Sequence, residues 1–454
     1  EHIADAHMSG LIHIHDLEYW SVGRPFCLPS YEYVVFKVGS EVHVAPIREL
    51  QRFCEFVNKV GEWEIYKPTT GVLILTPHGF KPLSALYRRW YEGELVRIWP
   101  RGGDKVDLTP DHPVPVLRGR RVALKVAADI KPRDKLLAYR GGGIEFDGRE
   151  TLDLVAEVVN DPCWMVCEDG IVFKPSPFSV PRTKLPHTIE LSEDLGFFLG
   201  LYISEGHTHH DRELVITSSN PELRRAFVEL GKRLFNVGGG ELLKANTPQA
   251  AVYSRAVCQF ITNHLHIGHR AHEKALPARL LLANERFVAG LLRGIIIGDG
   301  NFTNRDDKEK LCVTLATSSR RLFYQIRFLL WTLGVDHTVA RAKSGAKGTL
   351  MYYISIRSRE AIKRLKELGI PVPDGWRLER RGNNPYEVPY RRVAKVERIY
   401  FRGYVYDVTV DSEDHLFVSM SGIALHNCLS HDPRFVLTHG LLIDGTGLHS
   451  AVAG

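Results

Sequence analysis

The sequence predicts a multidomain protein in which an α/β domain is inserted into an all-β domain. Short β-branched runs broken by Gly and Pro occupy the chain from residue 27 to about 140, and the same residue pattern begins again at about residue 391. Between them lie two similar segments with a small residue at every fourth position, each followed by a run of helical spacing. At 454 residues the chain is long enough for two or three domains with buried cores.

The β domain is predicted in two parts, residues 27–140 and residues 381–427. The first part holds the runs YEYVVFKV, GVLIL, ELVRIW and RVALKV, which span four to eight residues, alternate in part and are typical of strands. The second part holds RRVAKVERIY, YVYDVTV and HLFVSMSGIAL, which show the same pattern. We therefore expect the two parts to complete one domain around an insertion.

The insertion is bounded by segments rich in Gly and Pro. Three consecutive glycines at 141–143 and the Pro-rich stretch 174–186 precede it, and RRGNNP at 380–385 follows it. Such residues favour turns and loops over regular structure. We interpret residues 141–190 as a linker or accessory region and residues 191–380 as the inserted domain.

The inserted domain contains a duplicated motif. LGFFLGLYISEG at 195–206 is matched by VAGLLRGIIIGDG at 288–300. On a helix, residues four apart lie on one face, so each motif has a strip of very small residues. These are Gly196, Gly200 and Ser204 in the first copy and Gly290, Gly294 and Gly298 in the second. Since each Gly costs about 1 kcal/mol in a helix interior relative to Ala, we expect the two helices to approach closely along these strips.

Each strip ends in an acid followed by glycine, Glu205 in the first copy and Asp299 in the second. If the helices pack in parallel, both carboxylates emerge together at helix C-termini. The helix dipole disfavours an anion there by roughly 0.3–1 kcal/mol, and the two acids also repel each other. A divalent cation resolves both problems, and hard oxygen ligands select Mg²⁺. The predicted reaction class is metal-assisted hydrolysis of a phosphodiester.

The two motifs resemble those of LAGLIDADG homing endonucleases, over roughly residues 191–375. The resemblance implies two αββαββα repeats whose sheets form a saddle over double-stranded DNA, with Glu205 and Asp299 as the metal-binding acids. Either Lys343 or Lys347 would be the auxiliary lysine. The first acid is Glu where the family more usually has Asp, so the alternative is a degenerate domain that binds DNA without cutting it.

The charge distribution agrees with a polyanionic partner. Residues 191–380 carry 28 Lys and Arg against 19 Asp and Glu. A local basic surplus favours association with phosphates because counterions are released. The simpler interpretation of the same surplus is a solvated basic face.

The two ends of the interior segment carry residues suited to breaking and remaking peptide bonds. The side-chain nitrogen of Asn427 can attack its own backbone carbonyl, and the thiol of Cys428 directly after it can receive an acyl group. Cys27 supplies a second thiol almost four hundred residues upstream. We therefore expect a chain that cuts itself at two peptide bonds and rejoins the ends.

This arrangement resembles that of inteins, which implies a Hint-type (horseshoe) β fold and splicing without a cofactor. Thr109 and His112 match the family's Thr-x-x-His motif, in which the His hydrogen bonds the scissile amide and protonates its nitrogen. Asp407 and His415 fall where the family carries an acid and a His, and His426 precedes the cyclising Asn.

The flanks, residues 1–26 and 428–454, read as one interrupted sequence. Joined, HMSGLIHIHDLEYW and RPFCLSHD resemble the catalytic subunit of anaerobic (class III) ribonucleoside-triphosphate reductases. The resemblance implies that the DNA target is the uninterrupted gene of that host. A reductase with a purely structural insertion is the competing interpretation. It does not explain why His426-Asn427-Cys428 and Cys27 lie at the two ends of the inserted segment.

The composition favours a cytoplasmic location and no association with a membrane. Seven Cys at spacings that fit no disulfide framework favour a reducing compartment. The longest apolar runs, such as GFFLGLYIS, are too short to span a bilayer. We expect the protein to be a monomer.

Overall fold

The computed structural model describes residues 27–119, 121–176, 178–242, 247–270, 272–304, 311–344, 348–373 and 389–427, with the backbone of two short strands near the C-terminus. Phe26, Lys347 and Cys428 lie outside the described residues, as do the rest of the flank 1–26 and most of the flank 428–454.

The chain divides into two compact units. Unit 1 contains the described residues of Glu1–Ile144 and Gly382–Gly454, and unit 2 contains those of Glu145–Arg381. Residues 145–190, which the sequence analysis assigned to a linker or accessory region, therefore cluster with unit 2.

The first part of unit 1 is built from one long strand, ten shorter strands and two 3₁₀ helices within the described residues. The strands are Leu28–Pro29 (β1), Tyr33–Val38 (β2), Glu41–Pro46 (β3), Cys54–Val60 (β4), Trp63–Pro68 (β5), Val72–Thr76 (β6), Gly79–Pro100 (β7), Val106–Leu108 (β8), Pro113–Arg118 (β9), Arg121–Val126 (β10) and Lys135–Leu137 (β11). The 3₁₀ helices are Ile47–Phe53 and Ala127–Asp129.

Unit 2 begins with a small β-rich segment. Its elements are Thr151–Asp153 (β12), the short helix Leu154–Val158 (α1), Trp164–Cys167 (β13), Gly170–Phe173 (β14), Lys184–Leu185 (β15) and Thr188–Glu190 (β16). Strands β13, β14 and β15 form one sheet, and β12 pairs with β16.

Two successive αββαββα repeats follow, in the order expected from the sequence. The first comprises Glu193–Glu205 (α2), Gly206–His209 (β17), Glu213–Thr217 (β18), Pro221–Phe235 (α3), Gly239–Leu242 (β19), Gln249–Tyr253 (β20) and Arg255–Gln259 (α4), which continues as a π-helix over Phe260–His264. The second, which follows a 3₁₀ turn at Ala278–Leu280, comprises Glu285–Asp299 (α5), Asn301–Asn304 (β21), Leu311–Thr317 (β22), Arg320–Thr332 (α6), Thr338–Ser344 (β23), Thr349–Ile356 (β24) and Arg359–Glu367 (α7).

Local sequence explains where these helices begin. Helix α2 starts after Ser192, whose side chain accepts the N–H of Leu195, and α5 starts after Asn284, whose side chain accepts the N–H of Phe287. Ser and Asn are preferred at this position because they satisfy a backbone donor that the first turn leaves without a partner. These caps fix the first residue of α2 and of α5, and with it the position of each small-residue strip along its helix.

The chain then returns to unit 1 through Tyr390–Val410 (β25), Leu416–Val418 (β26) and Ala424–His426 (β27), and a hairpin of Leu442–Asp444 (β28) and Gly447–His449 (β29) follows. Strand β25 lies between β11 and β7 in a sheet of order β10-β9-β11-β25-β7-β6-β2-β3. The two β parts that are separated in sequence thus share one sheet, as expected.

The strand lengths expected from the sequence are wrong for β7 and β25. ELVRIW was predicted as a separate strand, but β7 runs over 22 residues and β25 over 21. The two pair from Leu83↔Val410 to Pro100↔Val393, with two local register shifts. Strands β7 and β25 hydrogen bond to each other along their length. These backbone hydrogen bonds stabilise extended structure in polar stretches that the residue pattern alone does not assign to a strand.

The core of unit 1 is formed by apolar side chains from both β parts, including Leu28, Phe36, Ile74, Val408 and Leu425. Among the described residues, no helix combines the length and apolar character needed to cross a membrane.

Candidate functional site

Cys27 and Thr109 are joined by two hydrogen bonds. The backbone N–H of Cys27 donates to Thr109 Oγ1 at 2.9 Å, and the backbone N–H of Thr109 donates to the carbonyl oxygen of Cys27 at 3.0 Å. Cys27 precedes β1 and Thr109 follows β8, and both residues are buried. The nitrogen of the Phe26–Cys27 peptide is therefore held by a side chain from a distant part of the chain.

Among the described residues, the ring of His112 has no hydrogen-bond partner. The resemblance to inteins predicted that this ring would bond the scissile amide, but the N–H of Cys27 donates to Thr109 Oγ1. The backbone of His112 is tied to the same turn, since its N–H donates to the carbonyl oxygen of Thr109 at 3.1 Å.

His112 and His426 are buried neutral histidines. Both ring nitrogens of each are enclosed and hydrogen bond to no described residue. Burial lowers the pKa of His112 to about 3. Burial lowers the pKa of His426 to about 3, and the nearby rings of His415 and His112 add to this effect because protonated imidazoles would repel each other. A neutral imidazole carries one N–H and one lone pair, so each ring can donate one hydrogen bond and accept another.

Asn427 is completely buried and firmly held. Its backbone N–H donates to the carbonyl oxygen of His415 at 2.8 Å. Its carboxamide oxygen accepts the N–H of Val410 at 2.8 Å, and its carboxamide nitrogen donates to the same His415 carbonyl. The His415 carbonyl oxygen that accepts this hydrogen bond orients the carboxamide nitrogen and increases the electron density on that nitrogen.

His415 and Asp407 complete the cluster predicted from the sequence. His415 has a φ of 51°, in the left-handed region that marks a tight turn, and its ring centroid lies 6.2 Å from that of His426. Asp407 is buried, and its Oδ1 accepts the N–H of Val408 at 2.8 Å. Strand β1 pairs Leu28 with Tyr406, so one step further in that register brings Cys27 opposite Asp407.

The cluster has the groups needed for acyl transfer between chain ends. A thiol, a hydroxyl, a carboxylate, an Asn carboxamide and buried imidazoles lie on or next to β1, β8, β25 and β27. Hydrogen bonds join Cys27 to Thr109 and Asn427 to His415. Asn cyclisation and thiol attack each need a proton donor or acceptor in a site that water does not fill.

A buried charge cluster beside this site was missed by the sequence analysis. Asp107 accepts hydrogen bonds from Arg97 Nε at 2.7 Å and Nη2 at 2.8 Å, from Lys105 Nζ at 2.7 Å and from the Tyr31 hydroxyl at 2.7 Å. Lys105 Nζ also donates to Glu32 Oε1. Burial acts to raise the pKa of Asp107, but Arg97 and Lys105 hold it below its usual range.

In unit 2, helices α2 and α5 pack in parallel with their backbones in contact, which confirms the role expected of the glycine strips. A Cβ added at Gly200 would lie 2.8 Å from the Cα of Gly294, and the reverse holds for a Cβ at Gly294. Both distances are too short for real contacts. Further along, Gly298 faces Ser204, so successive turns of the two helices meet in the same direction.

Glu205 and Asp299 consequently lie together at the ends of these helices. Partial burial of its carboxyl group and the neighbouring charge of Glu205 raise the pKa of Asp299 to about 7, although Asp299 as a whole residue is exposed. Burial also raises the pKa of Glu205. Both carboxyl groups resist ionisation, Glu205 because of burial and Asp299 also because of the charge of Glu205. Such a pair fits a divalent cation, which removes the repulsion. No group of three or more potential metal ligands occurs within the part of the chain that the structure describes.

Lys343 lies away from Asp299. It is on β23, at one edge of the sheet β21-β22-β24-β23, whereas β21 at the other edge begins two residues after Asp299. Three strand spacings amount to roughly 14 Å. The other candidate for the auxiliary lysine, Lys347, lies outside the described residues.

Lys274 is a second feature that the sequence analysis missed. It is buried, its Nζ donates to the carbonyl oxygen of Tyr202 at 3.1 Å, and it lies 3.4 Å from the centroid of the Tyr202 ring. Burial lowers its pKa to about 7. In its protonated form, Lys274 offsets the negative end of the helix dipole near the last turn of α2, beside Glu205.

The comparisons with known proteins agree with the repeat in unit 2. Residues 286–368 match the family described as the LAGLIDADG-like domain. An uncharacterized protein of Methanocaldococcus jannaschii is 23% identical over 79% of this chain and 47% of its own length. The ATP-dependent DNA helicase Hel308 of Thermococcus kodakarensis is 26% identical over 82% of this chain and 35% of its own length. The chain thus spans less than half the length of these curated relatives.

Solved structures similar to this chain include a homing endonuclease and an intein. A mesophilic variant of the homing endonuclease I-DmoI is 18% identical, covering 39% of this chain and 96% of its own, with a TM-score of 0.30. The transcription factor IIB Mvu mini-intein is 23% identical, covering 24% of this chain and 69% of its own, with a TM-score of 0.23.

Proposed function

We propose that the chain is an intein-containing precursor that excises residues 27–427 and ligates Phe26 to Cys428. The observation that carries the proposal is a series of contacts within unit 1, although Cys27 and Asn427 are 400 positions apart. Cys27 hydrogen bonds Thr109, which shares a turn with His112. His112 lies near enough to His426 to lower its pKa, and Asn427 follows His426 directly. An uninterrupted enzyme has no need to bury a reactive Cys, two neutral His and an Asn at the two ends of one segment.

The first step forms a thioester at the upstream junction. Cys27 Sγ attacks the carbonyl carbon of Phe26, the bond from that carbon to the Cys27 nitrogen breaks, and the thiol proton passes to the nitrogen. The hydrogen bond from this N–H to Thr109 Oγ1 fixes the orientation of the scissile peptide. His112, neutral and on the same turn, is the proton carrier.

The second step transfers the acyl group. Cys428 Sγ attacks the thioester carbonyl carbon, the bond to Cys27 Sγ breaks, and a branched intermediate results. Asp407, on the strand that faces Cys27, accepts the proton of the attacking thiol.

Cyclisation of Asn427 then releases the segment. The carboxamide nitrogen attacks the carbonyl carbon of Asn427, and the bond from that carbon to the Cys428 nitrogen breaks. His426 transfers the proton lost by the carboxamide to the leaving amine. The His415 carbonyl, which already accepts a hydrogen bond from the carboxamide, positions it. The remaining thioester between Phe26 and Cys428 rearranges to a peptide bond when the freed amine attacks it.

Removal of both junction groups tests the proposal. The double variant Cys27→Ala, Asn427→Ala should remain intact on a denaturing gel, while Cys27→Ala alone should release the downstream flank by Asn cyclisation. Release of that flank from the double variant would contradict the assignment of Asn427.

We further propose that unit 2 is a Mg²⁺-dependent homing endonuclease. The observation that favours it is the pair Glu205 and Asp299 on parallel helices, within a repeat whose second copy matches the LAGLIDADG-like domain. The two carboxylates would hold the cation, which polarises the phosphate when bound. The alternative is a relic that binds DNA without cutting it.

The proposed DNA target is the intein-less gene of the host, which we propose is an anaerobic ribonucleoside-triphosphate reductase. A linear duplex spanning the sequence that encodes the joined flanks tests the nuclease activity and its target site together. With Mg²⁺, cleavage of this duplex and not of a scrambled duplex is expected, and Asp299→Asn should abolish it. Binding without cleavage by the unsubstituted protein would favour the relic.

A further inference from the structure

A buried charge cluster connects the two segments that meet at the upstream junction. It consists of Tyr31, Glu32, Arg97, Lys105 and Asp107. Glu32, Lys105 and Asp107 are buried, and Glu32 Oε1 additionally accepts the backbone N–H of Asp107 at 3.2 Å. The Lys105 ammonium lies 4.7 Å from the centroid of the Tyr31 ring. Two carboxylates and two cations balance, so the cluster is neutral overall.

The position of the cluster in the chain gives it a geometric consequence. Tyr31 and Glu32 lie in the turn directly after β1, which begins one residue after Cys27. Asp107 is in β8, which ends one residue before Thr109. Strand β8 has only three residues, pairing with Val96, Arg97 and Ile98 of β7. The backbone hydrogen bonds of a three-residue strand fix its position only weakly.

Stability alone is a poor explanation for such a cluster. Desolvating several charges costs as much as their attraction returns, and apolar side chains of similar volume often stabilise a protein better. Buried polar networks that are fully hydrogen bonded do fix one arrangement of the segments they join. Here the arrangement they fix is the approach of Thr109 to the N–H of Cys27.

We propose that this cluster positions Thr109 against the scissile Phe26–Cys27 peptide and is thereby required for thioester formation, but not for cyclisation of Asn427. The inference rests on the proposed splicing function. Asp107 is a positioning residue because it acts through β8 and Thr109, and its side chain accepts its hydrogen bonds from Tyr31, Arg97 and Lys105. The downstream junction is held separately, by His415 and Val410 on Asn427.

Two backgrounds that each report one junction separate these effects. In Asn427→Ala, added dithiothreitol cleaves the thioester at Cys27 and reports the first step. In Cys27→Ala, release of the downstream flank reports cyclisation. Asp107→Asn keeps the shape of the side chain but removes the charge that balances Arg97 and Lys105. We expect thiol-induced cleavage to slow on the order of 10- to 100-fold, as for other small displacements of reacting groups, and cyclisation to stay within about 2-fold.

Two further variants make the experiment decisive. Tyr31→Phe removes one hydrogen bond to Asp107 and leaves the ring in place, so it should fold and slow the first step to a smaller extent. Glu64→Gln is the matched control, because Glu64 accepts hydrogen bonds from Tyr66 at 2.6 Å and Arg88 Nε at 2.9 Å in the same unit without joining β1 to β8. It should leave both rates unchanged.

The outcomes are distinct. If Asp107→Asn and Tyr31→Phe slow thiol-induced cleavage and cyclisation equally, the cluster only supports folding. The same conclusion follows if Glu64→Gln slows these reactions as much as Asp107→Asn does. Unchanged thiol cleavage in Asp107→Asn, with the Asn427→Ala parent active, would refute the positioning role and leave splicing intact. An Asn427→Ala parent that shows no thiol cleavage would overturn the splicing proposal and this inference together.

Discussion

Thr109 holds Cys27 from both sides, accepting its N–H at 2.9 Å on the hydroxyl and donating to its carbonyl oxygen at 3.0 Å from the backbone. Because the N–H belongs to the peptide that the thiol must attack, the hydroxyl determines the orientation of the bond to be broken. The backbone hydrogen bond persists whatever side chain occupies position 109, which makes the hydroxyl separable by mutation.

Thr109→Ala should slow thioester formation on the order of 10- to 100-fold, because the scissile peptide loses its side-chain acceptor. The measurement is thiol-induced cleavage in the Asn427→Ala background. Thr109→Ser retains the hydroxyl and should recover most of the rate. A Thr109→Ala variant that reacts as fast as its parent would show that the hydrogen bond is incidental.

Cyclisation of Asn427 should show no titration near the ordinary pKa of His. Burial and the nearby rings of His415 and His112 lower the pKa of His426 to about 3, so its neutral form persists through mildly acidic pH. In Cys27→Ala, the rate of downstream cleavage should therefore have no inflection near pH 6.5, and His426→Gln should reduce it on the order of 100-fold. An inflection near pH 6.5 that disappears in His426→Gln would contradict the buried, neutral assignment.

Gly200→Ala should destabilise unit 2 by about 1–3 kcal/mol, despite the better helix propensity of Ala. The new Cβ would lie 2.8 Å from the Cα of Gly294, and backbone atoms cannot rotate away as a side-chain tip can. Urea unfolding of the Cys27→Ala, Asn427→Ala chain measures the change. Gly238→Ala, where no atom lies within 4 Å of the added Cβ, is the control and should be nearly neutral. Equal stability of the two variants would mean that the helices are not in backbone contact.

Asp299→Asn should stabilise the protein at pH 8 when EDTA is present. Burial and the charge of Glu205 raise the pKa of Asp299 to about 7, so folding opposes its ionisation. The stability associated with the protonated carboxyl is complete below the unfolded value near 4 and is lost as pH rises through about 7. Thermal unfolding should show a higher Tm for Asp299→Asn at pH 8 and no difference at pH 4. A wild-type chain that is the more stable at pH 8 would contradict this electrostatic account.

Much of this architecture follows from local patterns. Glycine at every fourth position implies a helix face that must be crowded, and Gly200 and Gly294 meet as that argument requires. The positions of Cys27 and Asn427 at the ends of one long segment imply chemistry that joins them. These features are readable because residue spacing encodes them directly.

Other features depend on contacts that no local pattern encodes. Glu32 and Asp107 are 75 positions apart, and charged residues in a three-residue strand give no sign that they are buried. The segment preceding α2 joins unit 2 through backbone contacts such as Asp147 N–H to the carbonyl oxygen of Leu282 at 2.7 Å, which composition does not predict. The placement of Lys343 at the far edge of its sheet follows from strand order, which the sequence alone leaves open.

Intact-mass analysis of the products of the unsubstituted chain tests the central claim most directly. The proposal predicts a 401-residue product, residues 27–427, ending in an aminosuccinimide, and a 53-residue product in which residues 1–26 are joined to residues 428–454 through a peptide bond between Phe26 and Cys428. Recovery of the full 454-residue chain alone, under reducing conditions and after prolonged incubation, would contradict it.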